Sequence, residues 1–220
     1  MRMKYLALAL IPTLLVVLVV GTASAARLSI SRRDFELRWT PLTLSDGAIE
    51  GECDVVLQGS FHSSTIRKIR DALIGHITKA DATRVEPACT GAEIFMLNGA
   101  EELNGRRVAN TLPWHVQYMA FSGALPNIHM EIGIVGASIL IELPLVFGNC
   151  LFRSTAASPW RGILERNFTN GRIIHFRNRE TSPIPIAAGQ EILCPTEIFP
   201  ERSAAVNVLN TTTSIILSLI

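Results

Sequence analysis

Apolar residues return at every second position through much of this chain, and that period confines it to strands half-buried on one face. Leu28 and Ile30, then Phe35, Leu37 and Trp39, alternate across 27–39, with Glu36 and Arg38 between them. After an Asp46-Gly47 turn signal, 53–61 alternates again through Val55, Leu57 and Gly59. Further strands are expected at 92–97, 114–118, 173–176, 184–187 and 191–194, and 207–220 reads as a closing strand. The nearly unbroken apolar run 128–141 suits a strand buried on both faces, or two strands meeting at a tight turn, with Gly133 and Gly136 as bends. Between Asn98 and Asn110 the chain is polar and reads as a loop.

One segment breaks the period. Ile66, Ile69, Leu73 and Ile77 fall at helical spacing after Ser63 and Ser64, which predicts one short helix at 64–72 and a strand over 73–80. Many short strands, frequent Gly, Pro and Asn turns and one short helix define the expected fold class. It is all-β, a sandwich or barrel.

The N-terminus has a different character. Arg2 and Lys4 precede an apolar run from Leu6 to Val20, and Ala23-Ser24-Ala25 is a small-x-small cleavage site. That is the layout of a secretory signal peptide, with cleavage expected between Ala25 and Ala26. An uncleaved anchor fits less well, because a spanning helix needs about 20 apolar residues. Removal of 1–25 leaves 195 residues, read as a single β-sandwich-like domain over 26–220 or as two β subdomains, about 26–125 and 126–220.

An extracytoplasmic address gives the four cysteines their meaning. Cys53, Cys89, Cys150 and Cys194 all follow the leader, and an even count in an exported chain reads as two disulfides with three possible connectivities. The sequential pairing Cys53–Cys89 and Cys150–Cys194 is favoured, since it closes loops of similar size in each half. A Cys₄ zinc site is disfavoured, because no two cysteines have the short C-x₂₋₄-C spacing.

Loss of two basic residues with the leader moves the net charge from +1 to −1. A near-neutral chain has no bulk attraction for nucleic acid, and no segment after the leader is long enough to cross a bilayer as a helix. Chemistry is sparse. His62, His76, His115, His129 and His175 are well separated and form no H-E-x-x-H, so neither a metal site nor a cofactor is expected. Ser63 and Ser64 beside His62 read as caps rather than nucleophiles, and no G-x-S-x-G elbow is present. Glu142 interrupts an apolar run; alternation points it outward. Arg67, Lys68 and Arg70, with Arg106 and Arg107, read as a solvated face before an acidic-polymer site, and Trp114 as a buried indole at a strand start.

Gly59-Ser60-Phe61-His62-Ser63, Ala72-Leu73-Ile74-Gly75, Leu112-Pro113-Trp114-His115-Val116 and Phe121-Ser122-Gly123-Ala124-Leu125-Pro126-Asn127-Ile128 resemble phrases of uncharacterised exported bacterial proteins. Cys53, Cys89 and Cys150 stand in similar surroundings. The resemblance implies a bacterial, disulfide-stapled, β-rich protein and carries no activity. The reading of the residues is therefore an exported, non-enzymatic binding or structural module of the envelope or extracellular space. The alternatives are a hydrolase whose site gathers His62, His115 or Glu142 across the fold, and an envelope-assembly subunit with an apolar patch along 128–147.

Overall fold

The computed structural model describes residues 27–47, 50–83, 90–91, 93–96, 101–103, 106–108, 111–122, 129–143, 148–166, 170, 172–188 and 194–219. The expected leader with its Ala25–Ala26 cleavage site, and Cys89, lie outside them. Strands β1 (Arg27–Ile30), β2 (Asp34–Ser45), β3 (Glu50–Phe61), β4 (Thr65–Arg67), β5 (Leu73–Thr83), β6 (Thr90–Gly91) and β7 (Glu93–Met96) come first. A hairpin of β8 (Glu101–Leu103) and β9 (Arg106–Val108) precedes β10 (Trp114–Ser122), β11 (His129–Val135), β12 (Ser138–Leu143) and β13 (Gly148–Arg153). The chain continues through β14 (Trp160–Arg166), β15 (Ile173–Asn178), β16 (Ile184–Pro185), β17 (Glu197–Glu201), β18 (Ser203–Val208) and β19 (Leu217–Leu219).

Eight of these strands close on themselves. The ring runs β2, β3, β5, β10, β11, β14, β15, β18 and back to β2, every pair antiparallel. Each barrel strand therefore neighbours the next barrel strand in sequence, and the closing seam joins β18 to β2. This is an up-and-down barrel, the arrangement that removes sheet edges by full closure. The sandwich alternative gives way to it because Val206 pairs with Leu37 and Val208 with Phe35, which joins the last wall strand to the first.

Alternation decides what fills the ring. Phe35, Leu37 and Trp39 on β2, Val55 and Leu57 on β3, and Met130, Ile132 and Ile134 on β11 point inward and are almost wholly buried. Trp39 lies 5.3 Å from Trp160 and 5.8 Å from Phe176, ring centre to ring centre. At Gly162 the Phe176 ring comes so close that an added Cβ would sit 2.2 Å from it. An eight-stranded ring is just wide enough for side chains to fill, and here they do. The space left among Phe35, Phe61, Leu164 and Ile215 is about 10 Å³, no more than a single water molecule requires.

Two small sheets flank the barrel. In one, β1 pairs with β19 and β4; in the other, β12 pairs with β13 and β7. Leu28, Ile66 and Leu217 from the first, and Ile94, Ile139 and Phe152 from the second, belong to the same buried cluster as the barrel interior. A disulfide joins Cys150 on β13 to Cys194 just before β17. Cys53 is also oxidised; its expected partner Cys89 falls outside the described residues.

The helix expected at 64–72 is not formed, and no helix occurs among the described residues. Thr65–Arg67 is β4, with Ile66 opposite Leu28 of β1, and the chain then turns at Arg70 and Asp71. Ser63 caps no helix; its Oγ accepts from the Thr65 amide at 3.1 Å. The apolar stripe is split, since Ile66 and Ile77 are buried while Ile69 and Leu73 are 54% and 52% exposed. Two β-branched residues beside a free strand edge therefore prevail over helical spacing.

Other expectations are refined. The run 128–141 is two strands, β11 and β12, parted at Gly136, whose φ of +88° suits glycine. They do not pair with each other: β11 stays in the barrel wall and β12 leaves for the second small sheet. The polar stretch expected to be a loop holds the β8–β9 hairpin. The closing strand is broken by a turn at 209–210, so that β18 seals the barrel and β19 returns to β1.

Candidate functional site

With the interior full, side chains able to meet a ligand are on the outer wall. Its positions are largely polar: Glu36, Arg38, Glu52, Gln58, Lys79, Glu131, Arg161 and Arg177 alternate with the buried set. Many of the charges serve each other. Glu36 takes Arg38 at 3.0 Å and Gln58 at 2.9 Å. Glu131 takes Arg179 at 2.9 Å. Arg202 bonds Thr43 and Glu52, and Thr43 closes that triangle on Glu52.

The register of three neighbouring strands assembles something else. On β3, β5 and β10, Ser60 pairs with His76 and His76 with His115, so the three stand in one row across the wall. They face outward because their neighbours Phe61, Ile77, Trp114 and Val116 are inward and buried. His62 follows β3 directly, its amide held by the Ile74 carbonyl at 2.8 Å. Its ring lies 5.4 Å from the His76 ring at an interplanar angle of 34°. Ser60 Oγ is 3.4 Å from His76 Nε2. His62 and His115 are exposed and His76 is half-buried.

Three of the five separated histidines thus share one patch three strands wide. Sequence spacing alone hides this, because 14 and 39 residues separate His62 from His76 and His76 from His115. The usable signal is subtler. Each histidine adjoins a buried apolar residue at a strand end or start, which fixes its outward parity. The remaining histidines, His129 and His175, lie on β11 and β15.

Glu142 is not in this patch. It sits half-buried on β12 and accepts from Asn149 Nδ2 at 3.4 Å. Trp114 is fully buried, with its indole N–H on Thr111 Oγ1 at 2.8 Å, as a strand start with an enclosed ring requires. Arg67, Lys68 and Arg70 do not form one uniform face. Lys68 caps the Phe121 ring at 4.1 Å and Arg70 leans toward Asp71. Arg106 and Arg107 are on β9, whose side chains are outside the described part. Of the 128–147 stretch, side chains 129–142 are described and present no apolar patch; the large apolar side chains exposed among the described residues are Ile69, Leu73 and Ile216.

A second concavity, of about 450 Å³, lies where β15, β17 and β18 turn. Its size suits a small ligand, and Arg177 and Arg202 reach its rim. Both guanidinium groups are already committed, to Glu165 and Glu52, so the cleft offers little charge to an incoming anion. Among the described residues no three His, Cys, Asp or Glu side chains are grouped so that they could hold a metal ion, and no helix is long and apolar enough to cross a membrane. Comparison with family models, curated proteins and solved structures finds no match.

Proposed function

We propose that this chain is an exported, non-enzymatic binding or structural module of the cell envelope or extracellular space, working through the outer wall of a solid barrel. The observation that carries the reading is the filled interior. Trp39, Trp114 and Trp160 are completely buried there, so the fold serves as a rigid support and not as a cup. The leader-like N-terminus and the Cys150–Cys194 disulfide support an oxidising destination. The charged outer wall favours an aqueous setting, since a membrane-spanning barrel turns an apolar band outward.

The exported-hydrolase alternative has one observation in its favour, the Ser60 Oγ–His76 Nε2 contact. Acyl transfer also needs a group orienting the histidine and donors for an oxyanion, and the patch lies on a convex wall rather than in a cleft. The test is co-sedimentation of the oxidised protein with purified envelope material, run beside ester, peptide and glycoside substrates. Retention without turnover is the expected result. Turnover lost in Ser60→Ala or His76→Gln would replace the module with the hydrolase.

A further inference from the structure

We infer that the turn between β4 and β5 docks on the anionic face of a phospholipid bilayer, with Ile69 and Leu73 entering the interface and Arg27, Arg67, Lys68 and Arg70 lying against lipid phosphates. The inference rests on the envelope-module reading and names the surface the module works against.

The turn is held in one shape. The Ala72 amide donates to the Ile69 carbonyl at 3.2 Å, which closes residues 69–72 into a β-turn with Arg70 and Asp71 at its tip. Asp71 takes a φ of 64°, a left-handed conformation that aspartate tolerates better than most side chains. Three bonds pin the turn to β10. The Asp71 amide donates to the Tyr118 carbonyl at 2.8 Å, the Tyr118 amide to the Ala72 carbonyl at 2.9 Å, and Gln117 Nε2 to the Asp71 carbonyl at 3.1 Å. Ile69 and Leu73 flank this fixed turn, and both are more than half exposed. Single apolar side chains scattered over a surface need no explanation, whereas a pinned pair does.

The charges around the pair are mostly of one sign. Arg27 and Arg67 stand directly opposite each other on β1 and β4, both exposed, an arrangement that costs stability unless an anion answers it. Neither has an ion pair among the described residues. Lys68 lies over the Phe121 ring at 4.1 Å, which places its ammonium on the β10 side of the turn. Arg70 approaches Asp71 only to 3.9 Å, with both side chains more than half exposed, so that contact holds it weakly. Arg27 and the segment 65–73 together supply four cations and one carboxylate, with two large aliphatic side chains set among them. That is the composition of an interfacial membrane contact, in which Lys and Arg meet phosphates while the apolar side chains enter the acyl boundary. An acidic polymer would be held by the cations alone and would leave Ile69 and Leu73 without a role.

The test is co-sedimentation of the oxidised protein, collected after export, with vesicles of phosphatidylcholine and phosphatidylglycerol in equal parts, beside vesicles of phosphatidylcholine alone. Binding to the anionic vesicles that weakens as salt rises is expected. Arg67→Gln and Arg70→Gln should each weaken it about fivefold, and the double variant Ile69→Ser/Leu73→Ser about tenfold. Lys79→Gln, which removes one charge from the barrel wall, should bind as the parent does. Methyl resonances of the unmodified protein give a readout that needs no variant; with a paramagnetic lipid in the vesicles, those of Ile69 and Leu73 should broaden ahead of the rest of the chain. Absent binding, or equal binding to both kinds of vesicle, would overturn the bilayer surface. Binding unaltered in the Ile69/Leu73 variant would overturn it too and make an acidic polymer the occupant. Retention on delipidated envelope material without vesicle binding would remove the lipid surface and keep the module. Vesicle binding together with substrate turnover would keep the surface and remove the non-enzymatic reading.

Discussion

Trp39 and Trp160 lie side by side in the barrel, yet their indole N–H groups have opposite fates. Trp160 Nε1 donates to Asn178 Oδ1 at 2.9 Å, and Asn178 passes its own donor to the Glu201 carbonyl at 2.8 Å. Trp39 Nε1 is buried and meets no acceptor among the described residues. Replacing either by Phe removes similar ring volume, but only Trp160→Phe strands a buried carbonyl. An unsatisfied buried polar group costs about 1–3 kcal/mol. Trp160→Phe should therefore be less stable than Trp39→Phe by about that amount in urea unfolding; equal midpoints would refute the assignment. Tyr118 gives a second residue-scale test. Burial pushes its phenol above the usual 10.0, and Tyr5, in the segment read as a leader, is the other tyrosine in the chain. The folded group holds its proton longer than the unfolded one, so stability is intact below pH 10 and declines as pH rises beyond it. Absorbance at the phenolate band should titrate later in native than in unfolded protein. At this scale the burial of Trp114 is legible in its own neighbourhood. The histidine patch is not, because it depends on which residue of β5 stands opposite which residue of β10.

Among the elements, β2, β3, β10 and β15 fall within or around the stretches read as strands, whereas β14 goes unread although its buried and half-buried residues alternate just as regularly. The helix expected at 64–72 fails for a definite reason. Spacing counts Ile69 and Leu73 as apolar without asking whether a partner surface covers them, and β1 covers only Ile66. The β8–β9 hairpin escapes for the opposite reason, since the Asn104-Gly105 turn signal sits in a stretch whose polarity reads as loop. The Cys150–Cys194 pair is foreseeable from the even count and the leader-like N-terminus, but its role as a tie between β13 and the approach to β17 is not. That link closes a loop of 44 residues and contributes on the order of 4 kcal/mol in the chain-entropy picture. Around it, Ala187 N–H reaches the Leu151 carbonyl at 2.8 Å, and Phe152 bridges to Ile186. The double variant Cys150→Ala/Cys194→Ala should lower the thermal midpoint, with amide protection in β12 and β13 lost before that in β3 and β5. Uniform loss across both would show that the tie acts on the whole barrel.

For the whole molecule, all-β class is readable from composition and period, whereas closure is not. Sandwich and barrel share the same alternation, and the difference lies in a single long-range pairing, β18 with β2, that no local pattern encodes. Removing the strand that makes that seam tests the closure. A chain stopped after Arg202 keeps seven barrel strands and leaves the edges of β2 and β15 without β18, an invitation to pair with other chains. Such a truncation should lose its cooperative melt and aggregate on a sizing column; a monomer with the parent's transition would contradict the closure. The same seam sets an order of events in time. A ribosome delivers β2 first and β18 last of the eight, so the first staves must wait, hydrated and unsealed, while the six wall strands between them arrive. A chain with this topology has no early native half to hide in, and whatever escorts it during synthesis must protect an open ribbon until its last wall strand is made.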